Sequence, residues 1–151
     1  SATDAGLSTF AAKKKYQRSR PFMVNKQETC APANEEHLKT SGAYPSGHSA
    51  IGWAWALILS ELVPEKSNAI LSRGRAFAQS RAVCNVHWQS DIVNGSVLGA
   101  AAYSKLHSSE LFLTTLNRAK AEILQNKAKE QATTMRSYDV CKKETEALAI
   151  F

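Results

Sequence analysis

A chain of 151 residues is long enough for one domain with a real core, and 44% hydrophobic with 21% charged residues excludes the disordered and fibrous classes. A formal net charge of +6 favours anionic partners, namely phosphate esters, nucleic acid or acidic membranes, without choosing among them. The longest apolar run, AIGWAWALIL, is about half of what a bilayer crossing needs and is followed by Ser60 and Glu61, so no membrane span is expected.

Period-two alternation is never sustained, while helical spacing recurs, so an all-α fold is predicted. Residues 4–18 read as a first helix, stopped before Arg20 by Pro21. Residues 21–44, with Pro32, Asn34 and Gly42, read as a long irregular segment of the kind that carries function. A second helix, 47–63, is apolar almost all round and should be central and buried, with Trp53 and Trp55 in the core. Ser46 can cap it. Pro64 punctuates, a third helix covers 65–81, a fourth 87–106, and a fifth runs from an N-cap at Ser109 beyond Lys127. Residues 130–151 are a tail holding one more short helix or a mobile end. The three cysteines, Cys30, Cys84 and Cys141, lack metal spacing; a Cys30–Cys84 bridge is possible in an oxidising compartment.

Three polar groups stand out. In KKKYQRSRP, Lys13 and Arg20 lie almost two helical turns apart and share a side if the helix persists. A solvated basic face is the plainer reading of such a run. In PSGH, Gly47 lets a group approach the backbone closely, and His48 is a titratable group that neither cap nor apolar helix needs. In SRAVCNVHWQSD, His87 and Asp91 share a helical face, where the carboxylate can set which imidazole nitrogen is free. Arg81 would fall on the wrong side of a continuous helix, which predicts a break near Asn85 with His87 in the first turns of the next helix.

Each group alone has a bland explanation. Together, three cations, two histidines, an orienting carboxylate and a helix N-terminus suit a phosphoryl group. His87, Asp91 and Cys84 are also possible metal ligands, but three fixed cations would repel a divalent ion, so the site is read as one for an anion, with no metal or other cofactor. His37 and His107 read as incidental, the latter at a helix end where a cation suits the dipole.

The order Lys13-x6-Arg20-Pro21, Pro45-Ser46-Gly47-His48 and Ser80-Arg81-x5-His87-x3-Asp91 resembles the three-part signature of the type 2 phosphatidic acid phosphatase superfamily. This superfamily includes bacterial class A non-specific acid phosphatases, membrane lipid phosphatases and vanadium haloperoxidases. YQRSRPF, YPSGHSAIGWAWALILSE, RGRAFAQSR and HWQSD look like the first branch. The resemblance implies a metal-independent acid phosphatase acting on soluble phosphate monoesters such as nucleotides and sugar phosphates. His87 would be the nucleophile that forms a phosphohistidine, Asp91 its orienting partner, and His48 the acid and then the base. Lys13, Arg20, Ser46, Gly47 and Arg81 would hold the phosphoryl oxygens, with Ser80 in support. Opposite protonation needs of the two histidines predict a bell-shaped pH profile on the acid side.

The resemblance further implies inhibition by phosphate-like oxyanions such as vanadate, a homodimer, and a periplasmic or secreted location with the signal peptide already removed. Residues 1–151 are expected to form a single catalytic domain from which an N-terminal helical portion is missing, since family members carry a long helical stretch before the first motif. Two competing functions share the pocket chemistry. A vanadate-dependent haloperoxidase would oxidise halide once vanadate is added, and a basic nucleic-acid-binding module would show steeply salt-dependent duplex binding. A lipid phosphatase is disfavoured without spans, and Trp88, next to His87, could pack the core or equally wall the pocket.

Overall fold

In the computed structural model, residues 2–130 and Glu146 are described; the tail expectation and Cys141 fall outside them. The fold is all-α, without a strand among the described residues. Four long helices, α5 (Gly47–Leu62), α6 (Ser67–Val83), α7 (Gln89–Leu106) and α8 (Glu110–Glu130), follow four short ones. The short ones are α1 (Ala2–Leu7), α2 (Phe10–Tyr16), α3 (Pro21–Asn25) and α4 (Glu35–Lys39), with 3-10 turns at Pro32–Asn34 and Pro64–Lys66.

The single helix expected over 4–18 is therefore two. Thr9 Oγ1 bonds back to the Gly6 carbonyl at 2.8 Å and Ser8 Oγ to Ala5 at 2.7 Å, so hydroxyls replace ladder bonds and the chain breaks at Ser8–Thr9. α2 ends earlier than expected, at Gln17, which takes a left-handed conformation (φ 41°). The segment expected to be irregular contains α3 and α4, with Pro21 at the first helical position where its missing N–H is harmless.

α5 is central, packing on α1, α6 and α7. It crosses α7 at close range because α7 presents Gly95 and Gly99. A Cβ on Gly95 would lie 2.3 Å from the Ser46 carbonyl oxygen, and one on Gly99 2.4 Å from that of Ala50. A methyl at either position would force the helices apart, at about 1–3 kcal/mol. The facing residues Ser49, Ala50 and Ala54 are small and buried. The rest of α5 corrects the expectation of full burial: Trp55 is 49% and Leu59 47% exposed, and Trp53 is half-buried with Arg75 over its ring.

Cys30 and Cys84 form a disulfide across 54 residues of sequence. Closing a loop of that length removes unfolded-state entropy worth roughly 4 kcal/mol. Beside it, Asn25 and Asn85 exchange amide bonds (2.8 and 3.0 Å), and Asn85 also donates to the Gln27 carbonyl. These ties fasten α3 and the strap after it to the turn between α6 and α7.

Candidate active site

Ser46 caps α5 as expected. Its Oγ accepts from Ser49 N at 3.2 Å and from the Ser49 hydroxyl at 2.9 Å. Its own N–H donates to the Asp91 carbonyl at 2.9 Å, tying the start of α5 to the start of α7. Gly47 and His48 then contribute first-turn N–H groups for which an α-helix has no carbonyl partner. A Cβ on Gly47 would sit 3.5 Å from Thr9 Oγ1 and 4.0 Å from Lys13 Cε, so a side chain there would grow beside the lysine.

The break between α6 and α7 falls where expected. α6 ends at Val83, Asn85 adopts φ 59°, and the N–H groups of both Val86 and His87 bond the Arg81 carbonyl. His87 differs from expectation in lying before α7, not within it. Its pairing with Asp91 arises from capping geometry: Asp91 Oδ2 reaches back to the Trp88 N–H at 2.8 Å and meets His87 Nδ1 at 3.3 Å. Both side chains are buried.

Arg20 approaches from the start of α3. Its Nη1 lies 3.2 Å from His87 Nε2 and donates to the Val86 carbonyl at 3.0 Å, while Nε donates to Leu38 O at 2.9 Å. A guanidinium only donates, so Nε2 must carry a lone pair and Nδ1 the proton. The imidazole is thereby held neutral, with Nε2 unprotonated and accepting from Arg20. Lys13 reaches Arg20 because the chain turns after α2, not because one helix carries both; its Nζ donates to Gly42 O at 2.8 Å.

Lys13, Arg20, Gly47, His48, Arg81 and His87 line one cavity of about 510 Å³. Arg81 Nε is buried there without a hydrogen-bond partner. An unpartnered buried cationic donor is costly unless an anion meets it. The cavity also takes in His37, so that histidine is not remote from the site.

Burial, then the charges of Arg20 and Lys13, push the His87 pKa down to about 4 against the opposing bond to Asp91. Burial also opposes charge on Asp91, but bonds from His87 and the Trp88 N–H, with Arg18 nearby, outweigh it and hold the carboxylate ionised. His48 stands at the mouth; partial desolvation of its ring and then Arg81, Lys13 and Arg20 lower its pKa. Lys13 falls to about 8, from burial and the repulsion of Arg20.

Three residues lie elsewhere than expected. Ser46 is fully buried outside the cavity lining, its N–H on the Asp91 carbonyl and its Oγ on Ser49. Ser80 does not line the cavity, its hydroxyl donating to the Phe77 carbonyl at 2.7 Å. Trp88 is no pocket wall: it lies against Arg18, with Nε1 donating to Ser19 O. Arg18 itself escaped the sequence reading. Its Nη1 donates to Asp91 Oδ1 at 2.8 Å and Ser90 Oγ at 2.6 Å. The only signal was its place among the five cations of KKKYQRSRP, and no spacing rule linked it to a residue 73 positions away.

A family model described as the PAP2 superfamily matches residues 2–109, covering all of this site. The chain belongs to the PAP2 superfamily. It is 46% identical over 125 residues to a non-specific acid phosphatase of Providencia stuartii (82% of this chain, 50% of that one). It is 41% identical over 116 residues to the non-specific acid phosphatase of Salmonella typhimurium (77% and 46%). An acid phosphatase of Zymomonas mobilis is 40% identical over 123 residues (82% and 46%). This PAP2 chain thus spans about half the length of the curated relatives it matches. No helix among its described residues is long and apolar enough to cross a membrane.

Proposed function

We propose that this chain carries the phosphoryl-transfer site of an acid phosphatase that hydrolyses soluble phosphate monoesters through a phosphohistidine. The observation that carries the reading is the neutral His87, its Nε2 unprotonated and turned toward Arg20 in a cavity shared with Lys13 and Arg81. Nε2 attacks phosphorus, and the ester oxygen departs with the proton of His48. In the second step His48 takes a proton from water as that water attacks phosphorus, breaking the P–N bond and returning neutral His87 and phosphate. Asp91 accepts the Nδ1 proton's hydrogen bond throughout and stabilises the positive charge on the phosphorylated ring.

Lys13, Arg20 and Arg81, with the first-turn N–H groups of α5, supply the positive charge that a metal supplies in other phosphatases; metal independence is part of this reading. They also explain how His48 acquires its proton. Desolvation of the ring and then three cations depress its pKa; a phosphate dianion bound among those cations offsets their part, so substrate binding favours the protonated acid. The nucleic-acid reading fits poorly, because Arg20 is only 3% exposed and the site's cations turn into a cavity. The Cys30–Cys84 disulfide supports an oxidising, periplasmic or secreted location.

The test is hydrolysis of p-nitrophenyl phosphate from acid to neutral pH with a chelator present, beside His87→Ala. Chelator-resistant turnover with an acid-side bell, lost by about 10³-fold or more in the variant, is the expected result. Near-normal turnover in folded His87→Ala would remove the phosphohistidine step. Vanadate is expected to inhibit; bromide oxidation in its presence, without ester hydrolysis, would instead favour a haloperoxidase.

A further inference from the structure

Arg18 forms no part of the cavity, yet it holds the outer oxygen of the one carboxylate that touches His87. Asp91 is fully buried, and each of its oxygens has a defined partner: Oδ2 meets Trp88 N–H and His87 Nδ1, Oδ1 meets Arg18 Nη1. Arg18 is itself held by Ser90 Oγ and by the face of Trp88, 5.5 Å from its ring centre. The residues that anchor the arginine thus lie within three positions before the carboxylate in sequence. We infer that Arg18 is a positioning residue that keeps the Asp91–His87 pair in the carboxylate–neutral imidazole state needed for attack.

The argument is one of charge balance. A buried carboxylate beside a neutral imidazole needs a compensating cation, and Arg18 is the cation that bonds to it. Without it the pair takes up a proton more readily. On the imidazole, that proton occupies Nε2 and ends its nucleophilicity; on the carboxyl, it weakens the bond that orients the ring. The other charged groups facing the pair are Lys13 of α2, Arg20 at the start of α3, His48 of α5 and Arg81 of α6. Arg20 and Lys13 repel a proton on the ring and also feel the Asp91 charge, but neither bonds the carboxylate. Arg18 is the cation in direct contact with Asp91, on Oδ1 at 2.8 Å, so its loss removes the nearest compensating charge. The inference rests on the phosphatase reading for its catalytic meaning, but its physical content does not.

The test is therefore made on ligand-free protein, by NMR titration of the His87 imidazole nitrogens in the wild type, Arg18→Gln, Arg18→Met and Arg18→Lys. Methionine keeps an apolar stem against Trp88, which guards against loss of the fold in the glutamine variant. The neutral variants are expected to bind a proton at the pair about tenfold more tightly, moving uptake to higher pH, while lysine stays within about threefold of wild type. The acid limb of kcat/KM should move by the same factor. A folded neutral variant that takes up its proton where the wild type does would overturn the inference, as would a lysine variant that shifts as far as the neutral ones. Because the titration needs no turnover, failure of the phosphatase reading leaves it intact and separately decided.

Discussion

Two histidines in this molecule are each paired with a carboxylate, and their pKa values are pushed in opposite directions. His87 Nδ1 meets Asp91 at 3.3 Å, and its Nε2 faces the Arg20 guanidinium. At the far end of α7, the helix that His87 precedes, His107 is the C-cap, with Nδ1 on the Tyr103 carbonyl at 2.9 Å and Nε2 on Glu61 of α5 at 2.9 Å. Both nitrogens of His107 meet acceptors, so the ring is satisfied only as a cation. One nitrogen of His87 meets a donor, so that ring is satisfied only when neutral. The shifts follow: burial and cations drive His87 to about 4, while the Tyr103 carbonyl and then Glu61 raise His107. A neighbouring carboxylate does not by itself make a histidine basic; the partner of the second nitrogen decides.

The largest effect that tests this contrast is on turnover. Asp91→Asn keeps the shape but lets the ring adopt the other tautomer, with an expected loss of about 10³- to 10⁴-fold in kcat; Glu61→Gln should stay within about twofold. Comparable losses in the two variants, measured as initial rates, would erase the functional distinction.

Next comes acid stability, where the two rings have opposite signs. The folded pKa of His87 lies below its ordinary 6.5, so stability falls as pH drops from 6.5 through about 4, by roughly 3 kcal/mol in all. His87→Gln should flatten that limb in denaturant titrations. Arg20→Met sharpens the same point by removing the donor from Nε2. The imidazole should then bind a proton at least about tenfold more tightly by NMR, approaching the behaviour of His107.

The smallest effect belongs to the outer pair. Its folded pKa is raised, so its contribution is fully present below about pH 6.5 and fades as pH rises through the raised value. Both side chains are about one-third exposed, which limits the loss in Glu61→Gln to roughly 0.5 kcal/mol at pH 5.5, smaller still at pH 9. Thermal unfolding at the two pH values reads it directly.

Much of the framework was legible because local rules govern it. The Ser46 cap and the extent of α5 follow from PSGH before an apolar run, and the Ser109 cap of α8 likewise, with Phe112 N bonding Ser109 Oγ at 3.4 Å. The break at Asn85 was legible for a different reason: Arg81 and His87 could meet only if the helix ended between them. Elsewhere local reasoning failed. Periodicity ran through Ser8–Thr9, where side-chain hydroxyls compete with the ladder, and it missed the short helices after Pro21, which bonds such as Phe22 N to Asn85 O hold in place. The exposure of Trp55 shows the same limit, since hydrophobicity states a preference for burial and not the presence of a covering surface.

The sequence by itself determined the all-α class, the helix starts that carry caps, and the residue types gathered in the three motifs, because capping, periodicity and side-chain chemistry act within a few residues. Only the tertiary structure decided the charge states. Arg20 against His87 Nε2, Arg18 against Asp91 Oδ1 and Glu61 against His107 join residues 67, 73 and 46 positions apart. A proton's position depends on what stands within about 3 Å of each nitrogen, and chain order carries no record of that distance.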